Sequence, residues 1–249
     1  SLDEERYIDN LLLSYGKSKK MIPARDVFYP LEGENLDFYA YYPYSSSALA
    51  DGETSLHVSV AENQTEDSDF SLSDFLVAKT SNVENATESV QLDFKHKLSK
   101  LDIKIVFEDE ESAADAFASN PTILATDFCT EAEYDFSEDA ISSPNVLKDL
   151  IPHGEWILDG KTLSGKELLI VPQFVKEQRF VLDMAGKVYT CSLDEKNLTE
   201  GIQYNWKINA ETLVEGALNE IRASISEWGI DEEQNTETKY ENKEQINTI

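Results

Sequence analysis

Three histidines and a few short motifs are the residues of this 249-residue chain whose types and spacing could do chemistry. His96 lies between two lysines in the stretch VQLDFKHKLSKLDIKIVF, where it could be a metal ligand, a catalytic base or a structural residue at a corner. His57 and His153 lie far from it in sequence, and no HExxH or Cys/His metal spacing is present. Each histidine is therefore better interpreted as a satisfied or surface residue than as a ligand.

Short matches to catalytic and phosphate-binding motifs are incomplete. The stretch 14–17 spells SxxK, but the SDN and KTG elements of penicillin-recognising enzymes are missing. The stretch 16–18 ends like a phosphate-binding loop without the first glycine that such a loop needs. Asp67, Asp69 and Asp74 lack the glycine and the closing glutamate of a calcium loop. The sequence therefore predicts no catalytic, cofactor or metal site, and it favours a protein that is not an enzyme.

Acidic residues outnumber basic ones by 49 to 21, which gives a net charge of −28. Nucleic acid is a disfavoured partner, because its phosphates would be repelled at long range. Hydrophobic residues make up 41% of the chain, which is enough to bury a core. Cys129 and Cys191 lie far apart without a CxxC spacing, which favours free buried thiols over a disulfide.

Apolar and polar residues alternate in short stretches, which is typical of antiparallel strands with one solvated face. These stretches are 36–40, 56–60, 90–94, 101–107, 180–184 and 202–208. The unbroken apolar run 168–171 predicts a strand buried on both faces, whereas 211–228 fits a helix and a strand equally well. The acidic run 108–115 predicts a solvated loop or helix face and a domain boundary. We therefore expect two β domains, residues 1–110 and residues 111–249, with a polar tail from about residue 229.

Several of these stretches resemble the fimbrillin family of Bacteroidales, which are exported subunits of type V pili. The most specific match is to the family pattern F-x-H-x-L-S-K-L, formed here by Phe94, His96, Leu98, Ser99, Lys100 and Leu101. Residues 35–44 resemble the family strand that ends in an AYYPY-like turn. Pro172 and Gln173 match its "ilviPQ" run, and Ile225 and Trp228 match its closing SIxxW. These motifs occur in the family's order and cover most of the chain.

The resemblance implies an all-β fold of two transthyretin-like antiparallel β-sandwich domains in tandem. It also implies export as a lipoprotein precursor, outer-membrane association only through a lipid-anchored leader that is removed, and assembly by strand exchange between subunits. In that mechanism a protease removes the first strand after a basic residue, which makes Arg6 and Arg25 candidate processing points. Residues 7–13 are then a candidate first strand, the tail after Trp228 is a candidate donor, and 211–228 is expected to be strand.

The function expected from this resemblance is that of a structural and adhesive subunit of cell-surface fimbriae. Its partners would be other pilus subunits and host or bacterial surface receptors. The alternative is a monomeric surface lipoprotein of the same fold that binds a glycan or a host protein, with exposed tyrosines in 39–44 as candidate contacts. In the fimbrillin interpretation His96 is a structural residue, whose ring bonds backbone groups at the corner between two strands.

Overall fold

A computed structural model describes residues 7–16, 20–30, 33–46, 53–85 and 89–215 of the chain. Most regular structure in these residues is β-strand, so the predicted all-β class is confirmed. In chain order the elements are β1 (Leu13–Tyr15), β2 (Met21–Pro23), β3 (Leu36–Tyr42), β4 (Ser55–Ser59), α1 (Asp67–Ser73), β5 (Leu76–Val83), β6 (Lys95–His96), β7 (Ser99–Val106), α2 (Glu110–Ala118), β8 (Thr122–Asp135), β9 (Ala140–Leu150), β10 (Ile157–Asp159), β11 (Thr162–Ile170), β12 (Gln173–Val175), β13 (Arg179–Met184), β14 (Lys187–Ser192), β15 (Lys196–Leu198), β16 (Gln203–Asn209), a 3-10 helix (Ala210–Thr212) and β17 (Val214–Glu215).

Two larger sheets and one smaller sheet form the body of the molecule. One sheet has the order β10-β11-β7-β16, and the other has the order β17-β14-β13-β8-β4 with β9 on the opposite side of β8. The third sheet has the order β3-β5-β6, while β1 pairs with β2 and β12 with β15. All strand pairs except one are antiparallel in the described residues, since β16 runs parallel to β7. The alternation of apolar and polar residues could not predict that exception, because it indicates which face of a strand is exposed to solvent and not the direction of the neighbouring strand.

The three body sheets share one continuous apolar core. In β7, Leu101, Ile103 and Ile105 are fully buried, while the residues between them are half-buried. Phe128 and Tyr134 of β8 are also buried in this core. Full burial of each such side chain contributes about 1.5–3 kcal/mol to the free energy of unfolding. The core therefore provides much of the stability of the three sheets.

Most of the predicted strands are confirmed by the structure. The stretches 36–40, 56–60, 101–107, 180–184 and 202–208 correspond to β3, β4, β7, β13 and β16. The run 168–171 forms the buried end of β11 and the residue after it. The acidic run contains the start of α2, where the Asp109 carboxylate accepts a hydrogen bond from the Ser112 amide at 2.7 Å. Such an N-cap favours helix at this point, and the acids of the first turn stay exposed.

Three local predictions are wrong or only partly tested. Residues 90–94 are not a strand, because the carbonyl of Gln91 accepts from the Thr80 hydroxyl at 2.6 Å and the strand pairing starts only at Lys95. Residues 7–12 are not a strand either, since β1 begins at Leu13 and pairs with β2 in a hairpin. In 211–228, Val214–Glu215 is strand and follows a 3-10 helix, while 216–228 lies outside the described residues.

The division into two domains at residue 110 stays a prediction. Strand pairs cross that position, because β7 pairs with β11 and β16, and β4 pairs with β8. A boundary there would have to accommodate these three pairs. Within the described ranges, no helix has the length and apolarity needed to cross a membrane.

Candidate functional site

The sheet edges are the candidate functional site, because an unpaired edge offers a row of backbone N–H and C=O groups to another strand. In the described part of the chain, β3, β4, β9 and β16 each have a neighbouring strand on one side only. These edges differ in length and in the features that discourage strand addition. At two places a side chain makes the backbone hydrogen bonds that a neighbouring strand would otherwise make, and we call such an edge closed.

Gln64 closes the edge of β11 beyond the reach of β10. Its side-chain carbonyl accepts from the Leu169 amide at 2.9 Å, and its side-chain NH2 donates to the Leu169 carbonyl at 2.8 Å. The NH2 group also donates to the carbonyl of Ala61 at 3.2 Å, and the residue is fully buried. The amide group therefore replaces one residue of a neighbouring strand.

Gln173 makes the same arrangement on β8. β13 pairs with the first part of β8 and β4 with the last part, and Cys129 lies between them. The Gln173 side chain accepts from the Cys129 amide at 2.9 Å and donates to its carbonyl at 3.1 Å. Gln173 is a residue of the predicted family motif, and this contact gives it a structural role that the sequence did not predict.

The outer edge of β9 carries several features that discourage pairing. Pro144 lacks an amide N–H, and Lys148 places a charge on the strand. Its register with β8 shifts twice, and Ser143 and Val146 have φ values of +55° and +57°. A left-handed conformation is costly for a β-branched residue, and it disrupts the regular spacing that an added strand would need. Although β9 is long and exposed, its edge is a poor template.

The outer edge of β3 has fewer of these features: it has no residue with positive φ, and its register with β5 shifts once, between Leu36 and Phe38. The strand reads LDFYAYY, without proline or lysine, and its register with β5 is regular from Phe38 to Tyr42. Its one charged residue is Asp37, whose carboxylate accepts from the Asn82 amide at 2.7 Å on the paired side. β3 therefore lacks most of the features that discourage strand addition at β9.

The N-terminal segment covers β3 through side chains alone. The rings of Tyr29 and Phe38 pack edge to face, with centroids 6.5 Å apart. The Tyr41 hydroxyl donates to the Asn10 side chain at 2.6 Å, and the Asn10 side chain donates to the Ser45 carbonyl at 2.8 Å. Among the described residues, no backbone hydrogen bond joins 7–30 to β3. The segment therefore contacts side chains of β3 and satisfies none of the backbone groups of the strand.

A buried lysine ties the β8–β9 turn to the rest of the fold. The Lys97 side chain is 5% exposed, and its ammonium lies 2.7 Å from the Asp139 carboxylate and 3.0 Å from that of Glu200. Burial opposes its charge, but hydrogen bonds to the two carboxylates outweigh burial and raise the pKa of Lys97. Burial likewise opposes ionisation of Asp139, and hydrogen bonds from Lys97 and Tyr134 outweigh it and lower the pKa of Asp139. Sequence reasoning missed Lys97, although it lies inside the family motif.

His96 does not have the contacts expected from the sequence. Its side chain is 65% exposed, and Nδ1 lies 2.8 Å from the Asp74 carboxylate and not from a backbone group. The prediction that its ring bonds backbone groups at the corner is therefore wrong. The corner is formed instead by buried Lys97 and Leu98, and by Ser99, whose hydroxyl donates to the Thr199 carbonyl at 2.8 Å.

The remaining predicted site residues lie in different parts of the molecule. Leu101 is fully buried, and Lys100 pairs with Glu167 at 2.8 Å. Phe94 and Pro172 are half-buried. Arg25 is exposed in the segment between β2 and β3. Arg6, Ile225 and Trp228 lie outside the described residues.

The other groups that could do chemistry are dispersed in the structure. His57 lies near Glu131 and Glu133, and His153 lies 3.5 Å from Asp67. In the described ranges, no three His, Cys, Asp or Glu side chains are placed to hold a metal ion. Both cysteines are free, as the sequence favoured, but they are half-buried and not buried.

A family model and a curated relative relate the chain to fimbrial proteins. A family model described as fimbrillin-like matches residues 1–228. A curated relative from Bacteroides uniformis, "Putative fimbrium subunit Fim1C", is 28% identical over 215 residues, which cover 84% of this chain and 63% of the relative. The chain therefore spans less than two thirds of the length of that relative.

Two solved structures share the fold. A "putative cell adhesion protein" from Bacteroides ovatus has a TM-score of 0.58 and 19% identity, covering 79% of this chain and 72% of that one. A protein of the same description from Bacteroides uniformis has a TM-score of 0.53 and 21% identity, covering 80% of this chain and 75% of that one. At this level of identity the likeness concerns the fold alone.

Proposed function

The chain belongs to the fimbrillin-like family, and on that premise we propose that it is a structural and adhesive subunit of cell-surface fimbriae that assembles by β-strand addition. Its partners are other fimbrial subunits, and it reaches the surface by export and is associated with the outer membrane only through a leader that is removed.

The open edge of β3 is the observation that carries this proposal. It offers seven residues with a regular register over the last five, and it lacks proline and lysine. A strand from a neighbouring subunit that pairs there would satisfy its unpaired backbone groups and bury alternate side chains. Affinity then comes from main-chain hydrogen bonds, while the pockets between side chains select the donor sequence.

Processing after Arg25 would remove part of the cover over this edge, because Asn10 would be lost while Tyr29 would stay against Phe38. Arg25 is exposed and lies between the β1–β2 hairpin and the residues that lead into β3. The hairpin pairs with no other described strand, so its removal breaks no strand pair of the body sheets. Loss of Asn10 would also remove the two hydrogen bonds that it makes beside β3. Arg6 is the second candidate processing point.

Fibre formation by edge variants tests the proposal. Phe38→Lys places a charge on the β3 edge, and the matched control Leu147→Lys places one on the β9 edge, where the leucine is 60% exposed. Each variant replaces the native copy in the source cells, and fibres are counted by electron microscopy. We expect loss of fibres with Phe38→Lys and normal fibres with Leu147→Lys.

Melting of the purified variants separates assembly from folding. A folded Phe38→Lys protein that still forms normal fibres would contradict strand addition at β3. Absence of any change in fibres or attachment when the whole gene is deleted would contradict the fimbrial function itself.

The alternative function, binding of a glycan or host protein by a monomer, has less support in the structure. Tyr39 and Tyr41 pack against Phe136, with ring centroids 6.1 and 6.2 Å from that of Phe136. The Tyr42 hydroxyl is hydrogen-bonded to Ser71, which leaves Tyr44 as the most exposed tyrosine of the group. A glycan array with the purified protein tests this alternative, and specific binding by a protein that forms no fibres would favour it.

A further inference from the structure

Tyr29 carries a buried polar group beside the open edge of β3. Its hydroxyl oxygen is buried and has no hydrogen-bond partner among the described residues. The Tyr29 ring packs edge to face against Phe38 of β3, with ring centroids 6.5 Å apart. A buried hydroxyl that forms no hydrogen bond lowers the stability of the folded protein. A group that supplied this hydrogen bond would therefore be favoured at this place.

The face of β3 that carries Phe38 is the face on which Tyr29 packs. Tyr39 and Tyr41 pack against Phe136 of the core, and successive side chains of a strand point to opposite faces. Phe38 therefore points away from the core. A residue of an incoming strand that pairs opposite Phe38 would place its side chain on the same face, with about 4.5–5.5 Å between the two Cβ atoms. That side chain would lie next to the ring on which Tyr29 packs.

Polar groups on the β5 side of Phe38 are already engaged with one another. Thr80 is the residue of β5 opposite Phe38, and its hydroxyl donates to the Gln91 carbonyl at 2.6 Å. The Gln91 side-chain amide donates to the Asp93 carboxylate at 2.9 Å. A new partner for the Tyr29 hydroxyl can therefore come from the open side of β3, where a strand would be added.

Tyr29 also follows the candidate processing point at Arg25 in the chain. Cleavage there would remove Asn10 and its hydrogen bonds to Tyr41 and Ser45, but it would leave Tyr29 attached to β3 through the intervening residues. Tyr29 is thus a residue that the processed subunit retains beside its accepting edge.

We propose that Tyr29 is a specificity-determining residue for strand addition at β3, and that its hydroxyl forms a hydrogen bond with a polar side chain of the incoming strand opposite Phe38. This inference rests on the proposed strand addition and adds a requirement on the sequence of the donor. A tyrosine hydroxyl can donate and accept, so the partner is a hydroxyl, amide or carboxylate side chain. An apolar residue at that position would leave the hydroxyl buried and unpaired, which discriminates against such a strand.

Tyr29→Phe tests the inference, because it removes the hydroxyl and keeps a ring against Phe38. The Tm of the purified intact chain should stay the same or rise, since the hydroxyl has no partner among the described residues of the subunit. Fibres sheared from source cells that carry only the variant should dissociate in detergent about fivefold faster than native fibres. The reason is that loss of one hydrogen bond between subunits acts mainly on the dissociation rate.

Tyr204→Phe is the matched control, because it removes a hydroxyl that is paired within the subunit. The Tyr204 hydroxyl accepts from the Thr199 amide at 2.9 Å. The control should lower the Tm of the intact chain and leave the dissociation rate of the fibres unchanged. A lower Tm for Tyr29→Phe would overturn the inference, because the hydroxyl would then have a partner inside the subunit. Tyr29→Phe fibres that dissociate at the native rate would overturn it as well.

Phe38→Lys separates this inference from the strand addition on which it rests. If Phe38→Lys forms normal fibres, strand addition at β3 is wrong and the role of Tyr29 is wrong with it. If Phe38→Lys abolishes fibres while Tyr29→Phe fibres dissociate like native ones, strand addition is supported and only the role of Tyr29 is wrong.

Discussion

The edges of β3 and β9 present the same kind of backbone groups to solvent, yet they differ in almost every feature that controls pairing. β9 has eleven residues with a proline, a lysine, two register shifts and two residues with positive φ. β3 has seven residues with one register shift and with neither proline nor lysine, and the N-terminal segment contacts it through side chains only. Exposure alone therefore does not identify an interface, because β9, the longer and more exposed edge, is the one whose features discourage strand addition.

Under the proposed strand addition, this difference directs the incoming strand to β3 and away from β9. Permanent obstacles to strand addition lie within β9 itself, whereas part of the cover over β3, which includes Asn10, belongs to a separate segment that ends at the exposed Arg25. A cover of this kind can be removed by one cleavage, but a proline and a left-handed backbone cannot. The following predictions test each part of this contrast, in order of decreasing effect.

Gln64→Met should have the largest effect on stability, because Gln64 makes both hydrogen bonds that a neighbouring strand would make to Leu169. The substitution conserves length but leaves the amide and carbonyl of Leu169 buried without partners. Each unsatisfied backbone group costs about 1–3 kcal/mol, so the free energy of unfolding should fall by about 3 kcal/mol. Urea denaturation measures this change. The exposed control Gln203→Met should change stability by less than about 0.5 kcal/mol, and an equal loss in both variants would contradict the role of Gln64.

Lys97→Met should loosen the β8–β9 turn and lower stability by about 2 kcal/mol. The substitution removes a buried cation while the carboxylates of Asp139 and Glu200 remain half-exposed, so the penalty is smaller than for a fully buried pair. The neighbouring control His96→Ala removes an exposed pair with Asp74 and should cost less than about 1 kcal/mol. A larger loss for His96→Ala than for Lys97→Met would show that the wrong residue has been assigned the structural role.

The pH dependence of the Lys97 effect follows from the direction of two pKa shifts. The folded pKa of Asp139 lies below its unfolded value of about 3.9, so its contribution is present above that pH and is lost as pH falls through the folded pKa. The folded pKa of Lys97 lies above its unfolded value of about 10.4, so its contribution is present below that pH and is lost as pH rises through the folded pKa. The native protein should have a higher free energy of unfolding than Lys97→Met by a constant amount from about pH 5 to 9, and this difference should decrease at both extremes of pH. An advantage that changed steeply near pH 7 would contradict this account.

Val146→Gly should have the smallest effect and the opposite sign. Val146 has a φ of +57°, a conformation that costs a β-branched residue about 1 kcal/mol and glycine almost nothing. The gain is reduced by the greater freedom of glycine in the unfolded chain, so we expect stabilisation of about 0.5 kcal/mol. Thermal melting measures it. Clear destabilisation would show that the side chain of Val146 makes a contact more important than its backbone strain.

The sequence predicts the strands better than it predicts the sheet edges. Alternation identified β3 and β7 because each strand has faces of different polarity, but it failed at 90–94, where a similar pattern has no ladder partner. The absence of proline and lysine in β3 can be seen in its sequence. Its position at an edge cannot, because that depends on pairing with β5 about 40 residues later, as in Tyr39 opposite Lys79.

Long-range polar contacts were also beyond the reach of sequence patterns. Lys97 lies between an exposed histidine and a buried leucine, and its partners are 42 and 103 residues away. Gln64 bonds to a residue 105 positions away. Neither local propensity nor spacing encodes such partners. The resemblance to the fimbrillin pattern could therefore identify the motif but could not show which of its residues is buried.

Hydrogen exchange by the isolated subunit and by assembled fibres tests the contrast between the two edges most directly. The account predicts that amides of β3 (Leu36–Tyr42) exchange rapidly in the subunit and become protected in the fibre, while those of β9 (Ala140–Leu150) exchange equally in both states. Protection gained by β9 with no change in β3 would contradict the assignment of β3 as the edge that accepts a neighbouring strand.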